Sequence, residues 1–235
     1  MEEVFSLQFL GSLLQIVFMD LMLAGDNAIV IGLAARNLPK HLQKKAIWYG
    51  TGGAVVIRVA ATLLVVTLLK IPFLQAVGGL VLLWIAYKLL VQEDSHEDIQ
   101  ASDSLWGAIR TIVIADAAMG LDNVIAVAGA AHGNDLLVIL GLLISIPIVV
   151  WGSTLFVKLL GRFPWIVYIG AAVLAYTAST MVTHEPRLGG LFHDNPVAVW
   201  TFVALMIAIV IVGGIWTNAI KAKRQQGRLS GGDAD

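Results

Sequence analysis

The stretch Asp20-Leu21-Met22-Leu23-Ala24-Gly25-Asp26-Asn27 lies in the middle of an apolar run that covers residues 7–35. An ionised carboxylate at such a depth in a membrane costs roughly 3 kcal/mol on insertion scales, so acids there indicate a function. The pattern returns inside a second long apolar run, as Asp116-Ala117-Ala118-Met119-Gly120-Leu121-Asp122-Asn123. Two copies of the spacing Asp-x5-Asp-Asn predict a duplicated site inside a membrane.

The composition of the chain indicates a membrane protein. Its 235 residues are 58% hydrophobic and 13% charged, and the mean hydropathy is +0.85. Soluble domains carry about 25% charged residues, so we expect the lipid bilayer to be the main partner of this chain. The net charge of −1 gives no sign of nucleic-acid binding, and no nucleic-acid partner is expected. The absence of cysteine excludes disulfides, thiolate metal sites and cysteine nucleophiles.

Seven apolar runs are each long enough to cross a hydrocarbon core of about 30 Å as a helix. They cover 7–35, 46–69, 73–91, 105–131, 136–159, 165–182 and 197–219. The sequence therefore predicts an all-α, polytopic fold in which residues 1–219 form a single transmembrane domain of seven helices. Residues 220–235 are predicted to form a disordered cytoplasmic tail. Two runs exceed the required length, which predicts helices that tilt or break near Gly25 and Gly120.

The chain also contains an internal repeat. Pro72-x5-Gly78-x7-Ala86 in the third run matches Pro164-x5-Gly170-x7-Ala178 in the sixth. Residues 7–91 and 105–182 are thus two copies of one unit, joined by an acidic linker (92–104) and followed by the helix at 197–219. Because three spans per unit is an odd number, the second unit must enter the bilayer from the opposite side. An inverted 3+3 repeat is typical of secondary transporters, whose site lies at the midplane.

Basic residues set the predicted orientation. One end of the predicted spans holds Arg36, Lys40, Lys44, Lys45, Lys88, Lys158, Arg162 and the basic residues of the tail. The other end holds Lys70 and Arg187. Since cytoplasmic loops carry the excess of lysine and arginine, the N-terminus is predicted outside and the C-terminus in the cytoplasm. The expected location is the bacterial cytoplasmic (inner) membrane.

The two motifs supply hard oxygen ligands. On an unbroken helix the first acid of each motif shares a face with the asparagine seven residues later, and the second acid points about 120° away. A helix break would let both acids converge and would expose backbone carbonyls. Carboxylates, amides, carbonyls and water suit Mn, Ca or Mg better than Zn or Cu(I). The candidate metal ligands are Asp20, Asp26, Asn27, Asp116, Asp122 and Asn123.

Other residues near the motifs have secondary roles. Arg58, near the middle of the second run, is expected to neutralise one of the carboxylates. Met19, Met22 and Met119 could add thioether contacts that favour Mn over Ca, or could simply pack; the sequence leaves both readings open. No catalytic residue and no bound cofactor are predicted.

The two motifs resemble those of a known family. The residues from Asp20 to Asn27, the following Ala28-Ile29-Val30-Ile31-Gly32-Leu33-Ala34-Ala35, and Gly120-Leu121-Asp122-Asn123 are similar to the TerC family of integral membrane proteins. The similarity runs over essentially all seven predicted spans. That family is placed with the LysE-type exporters, and its members are associated mainly with manganese export. The resemblance implies that the acids and asparagines of both motifs form a cation pathway.

The predicted function is export of divalent metal cations by alternating access, with Mn²⁺ as the expected cargo and Ca²⁺ or another divalent ion left open. Carboxylates that hold metal facing inward and take up protons facing outward would drive it. A non-transporting metal-binding accessory or sensor protein is the alternative. An intramembrane aspartyl protease fits less well, because Leu23-Ala24-Gly25-Asp26 lacks the first glycine of the Gly-x-Gly-Asp motif. The chain is therefore not predicted to be an enzyme. The sequence leaves open whether it forms a homodimer.

Overall fold

The computed structural model of the chain describes residues 7–64, 68, 71–91, 101–131, 134–192 and 195–231. Regular secondary structure in these ranges is all helical, as predicted. A 3₁₀ turn (Pro186–Leu188) and a one-turn helix (Gly189–Phe192) join the last two long helices. The long helices are α1 (Leu7–Ala35), α2 (Lys40–Leu63), α3 (Leu74–Val91), α4 (Ala101–Ala131), α5 (Asp135–Arg162), α6 (Ile166–Thr183) and α7 (Pro196–Gly231).

The helices are those of a multi-pass membrane protein. In the described ranges, five helices (α2, α3, α5, α6 and α7) are long and apolar enough to span a bilayer. Helix α1 makes a sixth if its two segments, Phe9–Leu21 and Ala24–Ala35, count as one bent span. A seventh span, expected at α4, stays a prediction.

The two predicted helix breaks have different outcomes. Helix α1 bends by 46° between Leu21 and Ala24, close to Gly25. Helix α4 keeps helical backbone through Gly120, as α1 does through Gly25, so neither glycine marks an unwound turn. A bend at Gly120 stays a prediction, whereas the acids of the first motif lie on either side of the bend in α1.

The prediction of a disordered tail is wrong up to Gly231, where α7 ends. The segment after Ile220 reads Lys-Ala-Lys-Arg-Gln-Gln, and all of these residues are good helix formers. They extend the apolar helix beyond the predicted span as a polar helix. Helix α7 is also the least buried of the five candidate spans, so it packs at the periphery of the bundle.

The long helices pair in a symmetric pattern. Helix α1 packs mainly on α5, α4 packs mainly on α2, and α3 packs on α6. Exchange of α1 with α4, α2 with α5 and α3 with α6 turns the α1–α5 pair into the α4–α2 pair and leaves the α3–α6 pair unchanged. The same exchange leaves the contact of α1 with α4 and that of α2 with α5 unchanged. The two halves, α1–α3 and α4–α6, therefore make equivalent contacts.

A glycine lies at the contact in each of these three principal pairs. A Cβ added at Gly50 of α2 would lie 2.7 Å from Ile112 Cδ1 of α4. One added at Gly141 of α5 would lie 3.1 Å from Ile16 Cβ of α1. At Gly79 of α3 it would meet both backbone and side-chain atoms of α6, the nearest side-chain atom at 2.8 Å. Small residues permit this close approach of helices, which drives their association in lipid.

The surface and interior of the bundle suit a bilayer. All seven tryptophans are exposed, as are many leucine and isoleucine side chains on the outer faces. The described residues of the interior form two apolar clusters, and along α1 the boundary between them falls between Ile16 and Ala24. Asp20 lies at this boundary.

Candidate ion site

A buried ion triad joins the two halves of the molecule. Arg58 of α2 donates from Nη1 to Asp20 Oδ1 of α1 and from Nη2 to Asp116 Oδ1 of α4. The exposed fractions of these residues are 5%, 2% and 8% respectively, so the triad is shielded from its surroundings. The first acids of the two sequence motifs therefore lie close together, and both bind the guanidinium of Arg58. The sequence predicted one carboxylate for Arg58, and the structure gives it two.

The charges in the triad are only partly balanced. One guanidinium faces two carboxylates, which leaves one net negative charge when all three groups are ionised. Asp116 Oδ2 and Arg58 Nε have no hydrogen-bond partner among the described residues. A Cβ added at Gly120 would lie 3.7 Å from Arg58 Nε, so this glycine faces the guanidinium. Buried unsatisfied polar atoms are rare in native structures, and here they mark a place where a ligand could bind.

The asparagines of both motifs lie on the buried faces of their helices. Asn27 and Asn123 are each 4% exposed, and they follow Asp20 and Asp116 by seven residues. The helical periodicity therefore placed acid and amide on one buried face, as the sequence predicted. The amide oxygen of Asn27 and the hydroxyl of the buried Thr51 also have no hydrogen-bond partner among the described residues.

Asp26 has a different environment from Asp20. It is half-buried, and its Oδ2 accepts a hydrogen bond of 2.7 Å from Thr177 Oγ1 of α6. The sequence predicted a separation of about 120° for an unbroken helix and convergence of the two acids for a broken one. Helix α1 is bent, yet Asp26 binds Thr177 while Asp20 binds Arg58, so the convergence predicted for a broken helix is not seen. The sequence gave no signal for Thr177, because the internal repeat aligns it with Ile85, which has no polar group. The side chain of Asp122 lies outside the described residues.

The described side chains do not form a ready-made metal site. In that part of the chain, no three acidic or histidine side chains lie close enough together to hold a metal ion. Met119 is buried in one apolar cluster and Met19 packs against the other, as packing residues do. Met22 has a side chain outside the described residues. The site is thus a pair of carboxylates held by arginine.

A large cavity lies away from the triad. It has a volume of about 1210 Å³ and opens where α1, α3 and α5 end and where α2 and α6 begin. No residue of the two acidic motifs lines it. Helices that end and helices that begin at one cavity run in opposite directions, as successive membrane spans must.

These features define a class: a multi-pass, all-helical membrane protein in which buried acids from two helices share one arginine. The chain belongs to the integral membrane protein TerC family, whose model matches residues 5–226. This match confirms the resemblance seen in the motifs.

Two relatives from Bacillus subtilis (strain 168) are similar to the chain. The uncharacterized membrane protein YjbE is 44% identical over 213 residues, which cover 91% of this chain and 98% of YjbE. The uncharacterized membrane protein YkoY is 28% identical over 185 residues, which cover 70% of this chain and 57% of YkoY. No solved structure matches the chain.

Proposed function

We propose that this protein is a secondary transporter that exports divalent metal cations, manganese above the others, from the cytoplasm by alternating access. One observation carries the proposal: Asp20 of the first half and Asp116 of the second half share one cation inside an apolar helix bundle. Ionisable residues inside a membrane are costly, and they typically mark ion pathways. The hard oxygens of these carboxylates and of Asn27 suit manganese, calcium or magnesium.

The symmetric pairing of helices supports an inverted repeat of two three-helix units, with α7 outside the repeat. We take α4 as the remaining span and place the N-terminus outside and the C-terminus in the cytoplasm of a bacterial inner membrane. This arrangement puts the triad where the two units meet, as in other inverted-repeat transporters. It also agrees with the proposed kinship to the LysE-type exporters.

Arg58 has a defined part in the proposed cycle. Its guanidinium binds the same carboxylate oxygens that a metal ion would use, so arginine and cargo compete for Asp20 and Asp116. A divalent ion would neutralise the negative charges of both carboxylates, whereas the single positive charge of arginine neutralises one. Arg58 therefore supplies the positive charge when cargo is absent and moves away when cargo binds. The missing side chain at Gly120, beside Arg58 Nε, leaves room for that movement.

The bend of α1 offers a hinge beside the site. Asp20 precedes the bend and Asp26 follows it, so a change of angle would move one carboxylate relative to the other. Broken helices form the sites of many secondary transporters. Asp26, bonded to Thr177 of α6, then provides the next carboxylate along the proposed pathway.

Export needs a driving force. Moving a divalent cation out against an inside-negative potential costs about twice 2.3 kcal/mol per 100 mV. Two protons entering for each metal ion leaving would make the exchange electroneutral. The carboxylates that release metal on the outside would take up these protons.

The proposal is tested by metal flux in proteoliposomes. Purified wild-type protein should move Mn²⁺ down an imposed gradient and faster with an opposing proton gradient. The variants Asp20→Asn and Asp116→Asn should lose this flux, because each removes a carboxylate from the shared site. Asp135→Asn is the matched control, since Asp135 is an exposed acid at the start of α5.

Two results would speak against the transporter. Unchanged Mn²⁺ flux in the Asp20→Asn/Asp116→Asn double variant would remove the acids from the pathway. Mn²⁺ binding by the wild-type protein without any flux would instead support the accessory or sensor alternative. Competition with Ca²⁺, Mg²⁺ and Zn²⁺ in the same vesicles would establish the preferred ion.

A further inference from the structure

The charged side chains that line the large cavity are all basic. Arg36 comes from the turn after α1, Lys40 and Lys44 from the first turns of α2, and Lys158 from the end of α5. None of the described residues that line this cavity is acidic. We call it the basic cavity. Lys40, Lys44 and Lys158 are exposed, and three positive charges around one volume attract anions.

The turn that presents Arg36 is fixed by hydrogen bonds. The Arg36 Nε donates to Asn37 Oδ1 at 3.1 Å. The Gln43 side chain of α2 donates to the carbonyl oxygens of Arg36 and Leu38, at 3.1 and 3.0 Å. Lys40 and Lys44 are one helical turn apart and therefore lie on one face of α2. The basic residues are thus presented from positions held by regular structure.

The basic cavity also contains an acceptor that needs a donor. Asn218 of α7 lines it, and its Nδ2 donates to the carbonyl oxygen of Leu90 at 3.2 Å. Its Oδ1 is buried and has no hydrogen-bond partner among the described residues. A phosphate or carboxylate cannot donate to this oxygen, but a hydroxyl group can. A ligand that carries both an anionic phosphate and a hydroxyl would bind the three lysines and Asn218 together.

The rest of the lining is apolar. Ile47, Leu160 and Val167 contribute hydrocarbon walls, and the exposed Trp165 lies at the start of α6. Tryptophan is enriched where membrane meets water. The basic cavity therefore combines phosphate-binding cations, a hydroxyl acceptor and apolar surface at the end of a helix bundle, which are the features of a lipid head-group site.

We propose that the basic cavity binds the head group of an anionic glycerophospholipid. The phosphate lies among Lys40, Lys44 and Lys158, and a head-group hydroxyl donates to Asn218 Oδ1. Basic pockets between membrane helices are known to hold such head groups. The site is separate from the ion triad, and the inference does not depend on metal transport.

The experiment measures the thermal unfolding of purified full-length protein in detergent with added lipid. Phosphatidylglycerol should raise the unfolding temperature of the wild-type protein, and phosphatidylcholine should not. The triple variant Lys40→Gln/Lys44→Gln/Lys158→Gln should bind phosphatidylglycerol on the order of 100-fold more weakly, at roughly fivefold for each lysine near an anionic lipid. Lys45→Gln is the matched control, because Lys45 is an exposed lysine of α2 that does not line the cavity.

Further variants and ligands separate the outcomes. Asn218→Leu should weaken phosphatidylglycerol binding while leaving the lysines intact, so the proposal can be tested even if the triple variant does not fold. Equal binding of phosphatidylglycerol by wild type, triple variant and Asn218→Leu would overturn the proposal. A stabilisation by inorganic phosphate that matches that of phosphatidylglycerol would also overturn it, because the site would then be one for small anions.

Discussion

Replacement of Arg58 by methionine tests the ion triad most directly. Methionine keeps much of the side-chain length but removes the cation that binds Asp20 and Asp116. Breaking a buried ion pair by removing one partner costs about 3–5 kcal/mol, because the other charge is left uncompensated. In a chain of this length 1 kcal/mol corresponds to roughly 2–4 °C, so the unfolding temperature of Arg58→Met should fall by about 6–20 °C.

The loss of stability in Arg58→Met should depend on pH and on metal ions. Without Arg58 two carboxylates face each other, and protonation of either removes their repulsion. The stability of Arg58→Met should therefore approach that of the wild-type protein as the pH falls. Mn²⁺ should also stabilise Arg58→Met more than the wild-type protein, because the carboxylates no longer bind a guanidinium.

The measurement is thermal unfolding of the purified variants in detergent, with and without Mn²⁺ and across a pH series. Arg110→Met is the control, since Arg110 is an exposed arginine of α4. The triple variant Asp20→Asn/Arg58→Met/Asp116→Asn should regain stability and lose its response to Mn²⁺. If Arg58→Met were as stable as Arg110→Met, or if the triple variant were no more stable than Arg58→Met, the electrostatic account of the triad would be refuted.

Three further predictions concern other parts of the molecule. Thr177→Val should lower the free energy of unfolding by about 1–3 kcal/mol, because Asp26 loses its hydrogen-bond donor. Chemical denaturation measures this loss, and Thr177→Ser, which keeps the hydroxyl, should behave like the wild-type protein. Gly79→Ala should destabilise the protein by about 1–3 kcal/mol, because the added methyl group overpacks α3 against α6. Gly52→Ala should leave the stability unchanged, because its Cβ would meet no atom within 4 Å. Circular dichroism during heating would measure both variants. Ser230→Cys should react with a membrane-impermeant maleimide only after the cells are permeabilised, and labelling of intact cells would reverse the proposed orientation.

Much of the architecture follows from local features of the sequence. The length and polarity of the apolar runs require helices, because a backbone in lipid must satisfy its own hydrogen bonds. The seven-residue spacing within each motif placed Asp20 with Asn27, and Asp116 with Asn123, on buried faces. The second acid of the first motif, Asp26, binds Thr177 and not Arg58, although a break in α1 was predicted to bring the two acids together.

Helix boundaries were harder to predict. Hydropathy ended the last helix at residue 219, but polar helix-forming residues continue α7 to Gly231. Both glycines were candidates for a break, and α1 bends by 46° close to Gly25 while its backbone stays helical.

The sequence alone determined that this protein is a helical membrane protein with paired acidic motifs, because those features depend on composition, period and spacing. The TerC family came from the resemblance of those motifs, and the family match confirmed it. Only the tertiary structure showed that Asp20 and Asp116 meet on Arg58, that Thr177 donates to Asp26, and that basic residues next to α1, on α2 and on α5 line one cavity. These relations join residues far apart in the chain. Hydrogen bonds and ion pairs act over a few ångströms, so they exist only after the helices have packed.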